Sequence, residues 1–192
     1  MHYRRLAGDL CYLSPRAQED LPLLKAWDND LEVILPASTR GYATPATSLY
    51  TGTVDAKRFE HMFIIVDSAT DQPIGWCALM GVDPINRRAH LAILIGEKPY
   101  WGKGYGREAC HLLLDHGFNI LGLQSVELQV FAFNKRAIRC YERLGFRTIG
   151  QRRKARILAG TAHDVVIMDF LAEEFDESRI AAVVKRTAAS GS

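Results

Sequence analysis

Three glycines at alternate positions, Gly102, Gly104 and Gly106, separate a strand-like segment that ends at Ile95 from a helix-like segment over 107–118. The first turn of a helix has unpaired backbone N–H groups, and the helix dipole is positive at that end. The loop therefore predicts a binding site for an anion, and a phosphate is the simplest guest. The alternative is a glycine-rich turn that only packs the helix on a sheet.

The spacing of the glycines narrows the choice of phosphate ligand. A Walker loop ends in Gly-Lys-Ser/Thr, whereas this sequence reads Gly-Lys-Gly from Gly102. The nicotinamide dinucleotide fingerprint fits better, since the residues from Gly104 to Ala109 have its spacing and Glu127 follows at the distance of a ribose-binding acid. Residues 97–101 separate the loop from its strand, however, and too little chain follows for a doubly wound sheet. A dinucleotide-binding enzyme is therefore kept as an alternative.

The segments around the loop predict a mixed sheet. Before it, three closely spaced apolar segments predict an antiparallel meander, over 62–66, 74–80 and 88–95. After it, helices and strands alternate: the helix that follows the loop, a strand over 126–131, a helix from 134 to Gly145, and strands over 146–149 and 165–170. A helix between two strands predicts one parallel pair. We therefore expect an α/β (α+β) fold with a largely antiparallel sheet.

The segment before the meander is predicted to be helical and then irregular. Ser14-Pro15 suits the start of a helix, whose apolar stripe would comprise Leu21, Leu24, Trp27 and Leu31. Residues 36–53 are rich in Ser, Thr, Gly and Pro. They predict either an ordered loop over a binding site or a surface connection.

Composition excludes several classes of protein. The 192 residues, 48% hydrophobic and 24% charged, suit one soluble domain. The net charge of +2 does not favour nucleic acid as a partner. No apolar run approaches the ~20 residues of a membrane helix, and residues 1–9 lack the apolar core of a signal peptide. We expect a cytoplasmic protein without a membrane partner.

The cysteines and histidines do not predict a metal site. The four cysteines contain no C-x-x-C pair, and the six histidines contain no H-E-x-x-H motif. His111 and His116 are five positions apart, which is not the spacing of two ligands on one helix face. We expect reduced, mostly buried thiols and no metal.

The order of these segments and three stretches of sequence closely resemble the GCN5-related N-acetyltransferases (GNAT), and within them the branch of the ribosomal-protein N-terminal acetyltransferases RimJ and RimL. The stretches are 95–106, 134–146 and 163–168, and the resemblance covers roughly residues 8–175. It implies one acetyltransferase domain over 1–178, with helices on both faces of the sheet and a splayed parallel strand pair that holds the cofactor. The remaining residues, 179–192, have little to bury and are expected to be a frayed tail.

The resemblance also implies an acetyl-CoA site. The backbone N–H groups of the loop would hold the pyrophosphate, and the pantetheine arm would run between the splayed strands. The implied cofactor-binding residues are Leu94, Ile95, Trp101, Gly102, Lys103, Gly104, Tyr105, Gly106, Arg107 and Asn134. Trp101 departs from the Gln or Arg that is common at the first loop position in the wider superfamily, which affects a side-chain contact rather than the amide cradle.

Amine acetylation needs a proton acceptor for the ammonium, a donor for the oxyanion and an acid near the departing thiolate. By resemblance, Tyr141 is the general acid, and a backbone N–H near Leu94 polarises the carbonyl. His90 stands where relatives commonly have Glu, and a histidine can accept a proton at neutral pH. The alternatives are that Tyr141 only packs in the core and that His90 is structural while the amine arrives neutral.

We therefore expect an N-acetyltransferase in which a primary amine attacks acetyl-CoA directly in a ternary complex. The acceptor, a protein N-terminus or a small-molecule amine, is left open, as is an acyl group larger than acetyl. The alternatives are a catalytically silent acyl-CoA-binding sensor, suggested by the absent Glu at position 90, and an NAD(P)-binding enzyme. Nine basic residues against one acid over 135–156 suit a solvated surface better than an RNA site. A homodimer would be unsurprising.

Overall fold

The computed structural model describes residues 1–37, 61–176 and 178–189. In these residues eight strands form one sheet, in the order β1-β2-β3-β4-β5-β6-β8-β7. The strands are β1 (Leu6–Ala7), β2 (Cys11–Pro15), β3 (His61–Asp67), β4 (Pro73–Asp83), β5 (Arg88–Ile95), β6 (Ser125–Phe131), β7 (Arg147–Leu158) and β8 (Thr161–Leu171). The predicted loop over 36–53 lies outside the described residues from position 38 onward.

Five α-helices accompany the sheet in the described part of the chain. They are α1 (Leu21–Asn29), α2 (Leu31–Ala37), α3 (Tyr105–Asn119), α4 (Lys135–Leu144) and α5 (Arg179–Ala189). Short 3-10 turns lie at Gln18–Asp20, Lys98–Tyr100 and Ala172–Glu174. None of the described helices is long and apolar enough to span a bilayer.

Among the strands that the structure describes, β5 pairs with β6 in parallel and every other pair is antiparallel. The crossover from β5 to β6 runs through α3, which is the short route that a parallel pair requires. The predicted mixed, largely antiparallel sheet is confirmed. The described strands do not form a doubly wound parallel sheet, so the dinucleotide-binding alternative is wrong at the level of the fold.

The two faces of the sheet bury separate cores. Along β3, Ile65 belongs to one apolar cluster while its neighbours Ile64 and Val66 belong to the other, because successive side chains of a strand point to opposite faces. The first cluster packs against α3 and α4, and the second includes Trp27 of α1 and Val33 of α2. The predicted helices on both faces are confirmed.

The predicted helix start at Ser14-Pro15 is wrong. Pro15 is the last residue of β2 and is paired with Phe63, and the α-helix begins only at Leu21. All four residues before Pro15 in β2 are buried, so the strand lacks the alternation by which a half-buried strand is recognised. Leu31 lies in α2 and is 61% exposed, so it does not belong to the predicted apolar stripe.

The expected frayed tail is also corrected, since residues 179–189 form α5. Asp115, a buried residue of α3, accepts hydrogen bonds from Ser178 Oγ at 2.6 Å and from the Ile180 N–H at 3.0 Å. Ser178 Oγ in turn accepts from the Ala181 N–H at 2.9 Å, which caps the helix. Polar contacts with Asp115 of α3 therefore hold the start of this helix.

Candidate functional site

A gap between β5 and β6 is the centre of the site. The two strands pair only over three positions, of which the last is His90 with Glu127. Both strands continue beyond this point without pairing with each other, and a cavity of about 660 Å³ occupies the space. Residues 93–95 of β5 and 129–130 of β6 line its walls. The splayed parallel pair that the resemblance implies is present.

The glycine loop forms the end of the cavity beside α3. Gly104 is the N-cap of α3 with φ of 96°, and Gly102 has φ of 74°, a region that L-residues with side chains rarely adopt. The N–H of Glu108 bonds to the Gly104 carbonyl at 3.1 Å and is the first of the helical ladder. The N–H groups of residues 105–107 precede that ladder and are the orphan donors of the first turn. This arrangement suits a phosphate.

Four arginines line the cavity: Arg107, Arg136, Arg139 and Arg143. Arg107 follows the glycine loop on α3, and the other three lie on α4. No acidic residue is among the described residues that line the cavity. The walls are therefore cationic beside a helix N-terminus, and the cavity fits an elongated polyanion such as the nucleotide part of CoA.

Trp101 and Arg136 connect the two sides of this cavity. The Arg136 guanidinium carbon lies 4.7 Å from the centroid of the Trp101 ring. The indole N–H of Trp101 donates to the Ile95 carbonyl at 2.8 Å. The residue that departs from the superfamily pattern thus fixes the glycine loop to the end of β5.

The side chain of Asn134, the N-cap of α4, makes hydrogen bonds to two other residues of the protein. Its Oδ1 accepts from the Ala137 N–H at 3.1 Å and caps α4, while its Nδ2 donates to the Pro36 carbonyl at 2.8 Å. Asn134 therefore joins α4 to α2. Pro36 and Asn134 both line the cavity, so the link lies at its wall.

Tyr141 lies on α4 and lines the cavity. Its ring packs edge-on against Phe146, with centroids 5.8 Å apart. Burial, followed by the nearby thiols of Cys110 and Cys140, raises the pKa of Tyr141 above its usual range. The hydroxyl therefore stays protonated at neutral pH and is suited to donate a hydrogen bond to a departing thiolate.

His90 lies at the point where the strand gap begins. Its Nδ1 is 3.5 Å from Glu127 Oε1, and 55% of its side chain is exposed. His90 belongs to the same alternating set as Leu94, whose side chain packs in the second core. It does not line the cavity and lies at the last pair of β5 with β6, on the face that carries α1 and α2.

Most of the other residues implied by the resemblance line the cavity: Leu94, Ile95, Trp101, Gly102, Gly104, Gly106, Arg107 and Asn134. The side chains of Lys103 and Tyr105 do not. The Tyr105 hydroxyl instead donates to Asp67 Oδ1 at 2.8 Å, and this hydrogen bond raises the pKa of Tyr105 to about 12. Only the backbone N–H of Tyr105 is then left for a ligand.

Two sets of hydrogen bonds on either side of the glycine loop were not predicted from the sequence. The carboxylate of Glu108, in the first turn of α3, accepts the backbone N–H groups of residues 9, 10 and 11, each at 2.8 Å. Before the loop, Glu97 Oε1 accepts the indole N–H of Trp27 at 2.9 Å. Both partners are distant along the chain, so only a known register between the elements could have revealed them.

Known proteins match this chain over most of its described length. Residues 11–147 match the family model of the acetyltransferase (GNAT) domain. The chain is 33% identical over 113 residues to the uncharacterized N-acetyltransferase p20 of Bacillus licheniformis, covering 59% of this chain and 63% of that relative. The match thus spans less than two thirds of the relative's length.

Two further matches are spermidine acetyltransferases by name. The spermidine N(1)-acetyltransferase of Escherichia coli strain K12 is 29% identical over 141 residues, covering 72% of this chain and 74% of that relative. The crystal structure of the spermidine N-acetyltransferase from Vibrio cholerae, in complex with CoA and spermine, is similar with a TM-score of 0.77. It is 25% identical, over 88% of this chain and 99% of that chain.

Proposed function

The chain belongs to the acetyltransferase (GNAT) family, and on this premise we propose that it transfers an acetyl group from acetyl-CoA to a primary amine. The observation that carries the proposal is the meeting of three features at one cavity. An amide cradle at the start of α3, a wall of four arginines and the gap between β5 and β6 adjoin each other. The first two suit the phosphates of CoA, and the third admits a slender arm with a thioester at its end.

Each candidate residue has one role in this proposal. Acetyl-CoA supplies an acetyl carbon that is activated as a thioester. The N–H groups of residues 105–107 and the arginines bind its phosphates, and a backbone N–H near Leu94 polarises the carbonyl. Tyr141 holds its proton toward the sulfur, and His90 takes a proton from the acceptor ammonium.

We propose a small-molecule amine as the acceptor. The support comes from the E. coli relative and the V. cholerae structure, both named for spermidine. The second candidate is a protein N-terminus, favoured by the cationic edge strand β7 with its exposed Arg152, Arg153 and Lys154.

The first experiment tests the donor before the acceptor. Thermal unfolding is measured with acetyl-CoA, with NADH and with neither. A ligand at about 100 times its dissociation constant adds ~2.7 kcal/mol, which raises the midpoint by roughly 5–10 °C for a chain of this size. A shift with acetyl-CoA alone supports the proposal. The absence of a shift with acetyl-CoA contradicts it.

Turnover then separates an enzyme from a silent acyl-CoA sensor. Release of CoA thiol is followed with spermine and with a panel that includes a diamine, an amino acid and a peptide with a free N-terminus. Acceleration by one class of amine supports the enzyme and identifies the class. Binding of acetyl-CoA without release on any amine supports the sensor instead.

A further inference from the structure

A row of polar side chains crosses four strands at the point where the strand gap begins. His90 of β5 is paired with Glu127 of β6, Glu127 with Asp169 of β8, and Asp169 with Arg147 of β7. Residues that are direct partners in adjacent strands lie on the same face of a sheet. The row therefore forms a continuous line that ends on His90, the candidate proton acceptor.

The first contact of the row leaves one nitrogen of His90 available. Nδ1 is the nitrogen that faces Glu127, at 3.5 Å from Oε1. This is an ion-pair distance rather than a hydrogen bond, so the carboxylate acts on the imidazole by electrostatic attraction. A neutral imidazole has one N–H and one lone pair, and a proton kept on Nδ1 by that attraction leaves the lone pair on Nε2. His90 is 55% exposed, so its side chain is accessible from solvent on this face of the sheet.

The rest of the row places further charged side chains on the same face of the sheet beside Glu127. Asp169 is the direct cross-strand partner of Glu127, and burial, followed by the carboxylates of Glu174 and Glu127, raises the pKa of Asp169. Arg147 offsets this negative charge, since its Nη2 lies 2.7 Å from Glu174 Oε1 and its strand position is opposite Asp169. The only acid in direct contact with His90 among the described residues is Glu127.

We propose that Glu127 is a positioning residue for His90: it holds Nδ1–H of the imidazole and leaves Nε2 to take the proton of the acceptor ammonium. The proposal rests on the transfer reaction proposed above. The ammonium gives one proton to Nε2, and its nitrogen then forms a bond to the acetyl carbon. The carbon–sulfur bond breaks with its electron pair on sulfur, and the second proton lost by the nitrogen neutralises the thiolate. His90 returns its proton to solvent.

The kinetic test uses the full chain with acetyl-CoA and spermine, or the most active amine of the panel. His90→Gln is expected to lower kcat about 100-fold and Glu127→Gln about tenfold, with both KM values within about twofold of wild type. Because Glu127 acts through His90, the double variant falls no further than His90→Gln alone. Glu173→Gln, an exposed match on the turn after β8, keeps wild-type kinetics. A Glu127→Gln variant with normal kcat and a raised KM for spermine overturns the proposal, as does a multiplicative loss in the double variant.

The contact between Glu127 and His90 can also be tested by spectroscopy, without measuring turnover. Long-range ¹H–¹⁵N NMR at pH 8 identifies the tautomer of His90, whose signals are assigned by their loss in His90→Gln. We expect the Nδ1–H tautomer in wild type and a shift toward Nε2–H in Glu127→Gln. The same tautomer in both proteins overturns the proposal. If wild type turns over no amine, the proposed function fails, while the tautomer still decides whether Glu127 positions His90.

Discussion

The guanidinium of Arg136 stacks on the indole of Trp101, with 4.7 Å between the guanidinium carbon and the ring centroid. The stack joins α4 to the residue that begins the glycine loop. The same indole donates to the Ile95 carbonyl at the end of β5. Trp101 therefore links the glycine loop to β5 through its hydrogen bond and to α4 through its contact with Arg136. Its own backbone N–H is not among those proposed to bind the phosphate.

We expect Trp101→Leu to raise the dissociation constant for acetyl-CoA about tenfold. A partly exposed cation–π contact contributes ~0.5–1 kcal/mol and a hydrogen bond ~1 kcal/mol, and both are lost. Trp101→Phe keeps a ring for Arg136 and loses only the hydrogen bond, so its effect is about half as large in free energy. Isothermal titration calorimetry measures both. Equal affinity in wild type and Trp101→Leu would show that the loop is ordered without these contacts.

Asn134 has two separable roles, the cap of α4 and the link to α2. Asn134→Ala removes both and is expected to lower the free energy of unfolding by about 1–2 kcal/mol. Asn134→Asp keeps the acceptor that caps α4, replaces the donor to the Pro36 carbonyl with a carboxylate oxygen that repels it, and so breaks the link to α2 alone. Urea unfolding gives the stability, and hydrogen exchange gives the local effect. Exchange in α2 is expected to increase in both variants, and exchange in the first turn of α4 only in Asn134→Ala. An Asp variant as unstable as the Ala variant would assign the whole effect to the link with α2.

The features that the sequence predicted correctly depend on local rules. Gly104 and Gly145 have φ of 96° and 111° at the start of α3 and the end of α4, where a glycine preceding or ending a helix pattern is expected. The parallel pairing of β5 and β6 followed from the helix between them. The cofactor-binding residues were named only through the resemblance to a family; eight of the ten line the cavity, and their role stays a prediction.

The features that were missed depend on contacts between distant segments. Glu108 binds the amides of residues 9–11, 97 to 99 positions away, and Asp115 binds Ser178, 63 positions away. Glu127 was recognised only as a possible ribose ligand of a fingerprint that the fold excludes. Its contact with His90 depends on the register between β5 and β6. The pattern of apolar residues indicates which face of each strand is buried, but not which residues of the two strands are direct partners.

Gly75 of β4 is required by the close approach of β5. A Cβ built on Gly75 would lie 2.2 Å from the Leu94 carbonyl oxygen, a backbone atom that cannot move without displacing the strand beside the cavity. We expect Gly75→Ala to lower the free energy of unfolding by about 3 kcal/mol and the midpoint of thermal unfolding by roughly 6–12 °C.

The matched control for this substitution is Gly150→Ala. Gly150 also lies in a strand, β7, but a Cβ there meets no atom within 4 Å. Its midpoint is expected to stay within about 2 °C of wild type. Differential scanning calorimetry compares the two variants. Equal decreases in the midpoint in both variants would show that replacing any strand glycine lowers the stability, and that the contact with the Leu94 carbonyl is not the cause.

His116 is expected to make the stability of the protein depend on pH. It is 6% exposed, packs edge-on against Phe63, and neither of its ring nitrogens has a hydrogen-bond partner in the described part of the chain. Burial, followed by the charges of His61 and Arg5, lowers the pKa of His116 from 6.5 to about 4. The unfolded chain therefore binds a proton at pH values between 6.5 and 4 at which the folded chain does not. Stability is fully present above pH 6.5 and falls as the pH falls toward 4, by about 3 kcal/mol at most.

His116→Phe removes the titrating ring and keeps an aromatic side chain against Phe63. Urea unfolding of wild type and His116→Phe at pH 7, 6 and 5 measures the free energy of unfolding of both. The carboxylates contribute the same slope to the two proteins over this range, so the difference between them isolates His116. We expect the variant to lose less stability than wild type between pH 6 and pH 5. Parallel curves would show that His116 acquires its proton in the folded protein as readily as in the unfolded chain, through a rearrangement that exposes the ring.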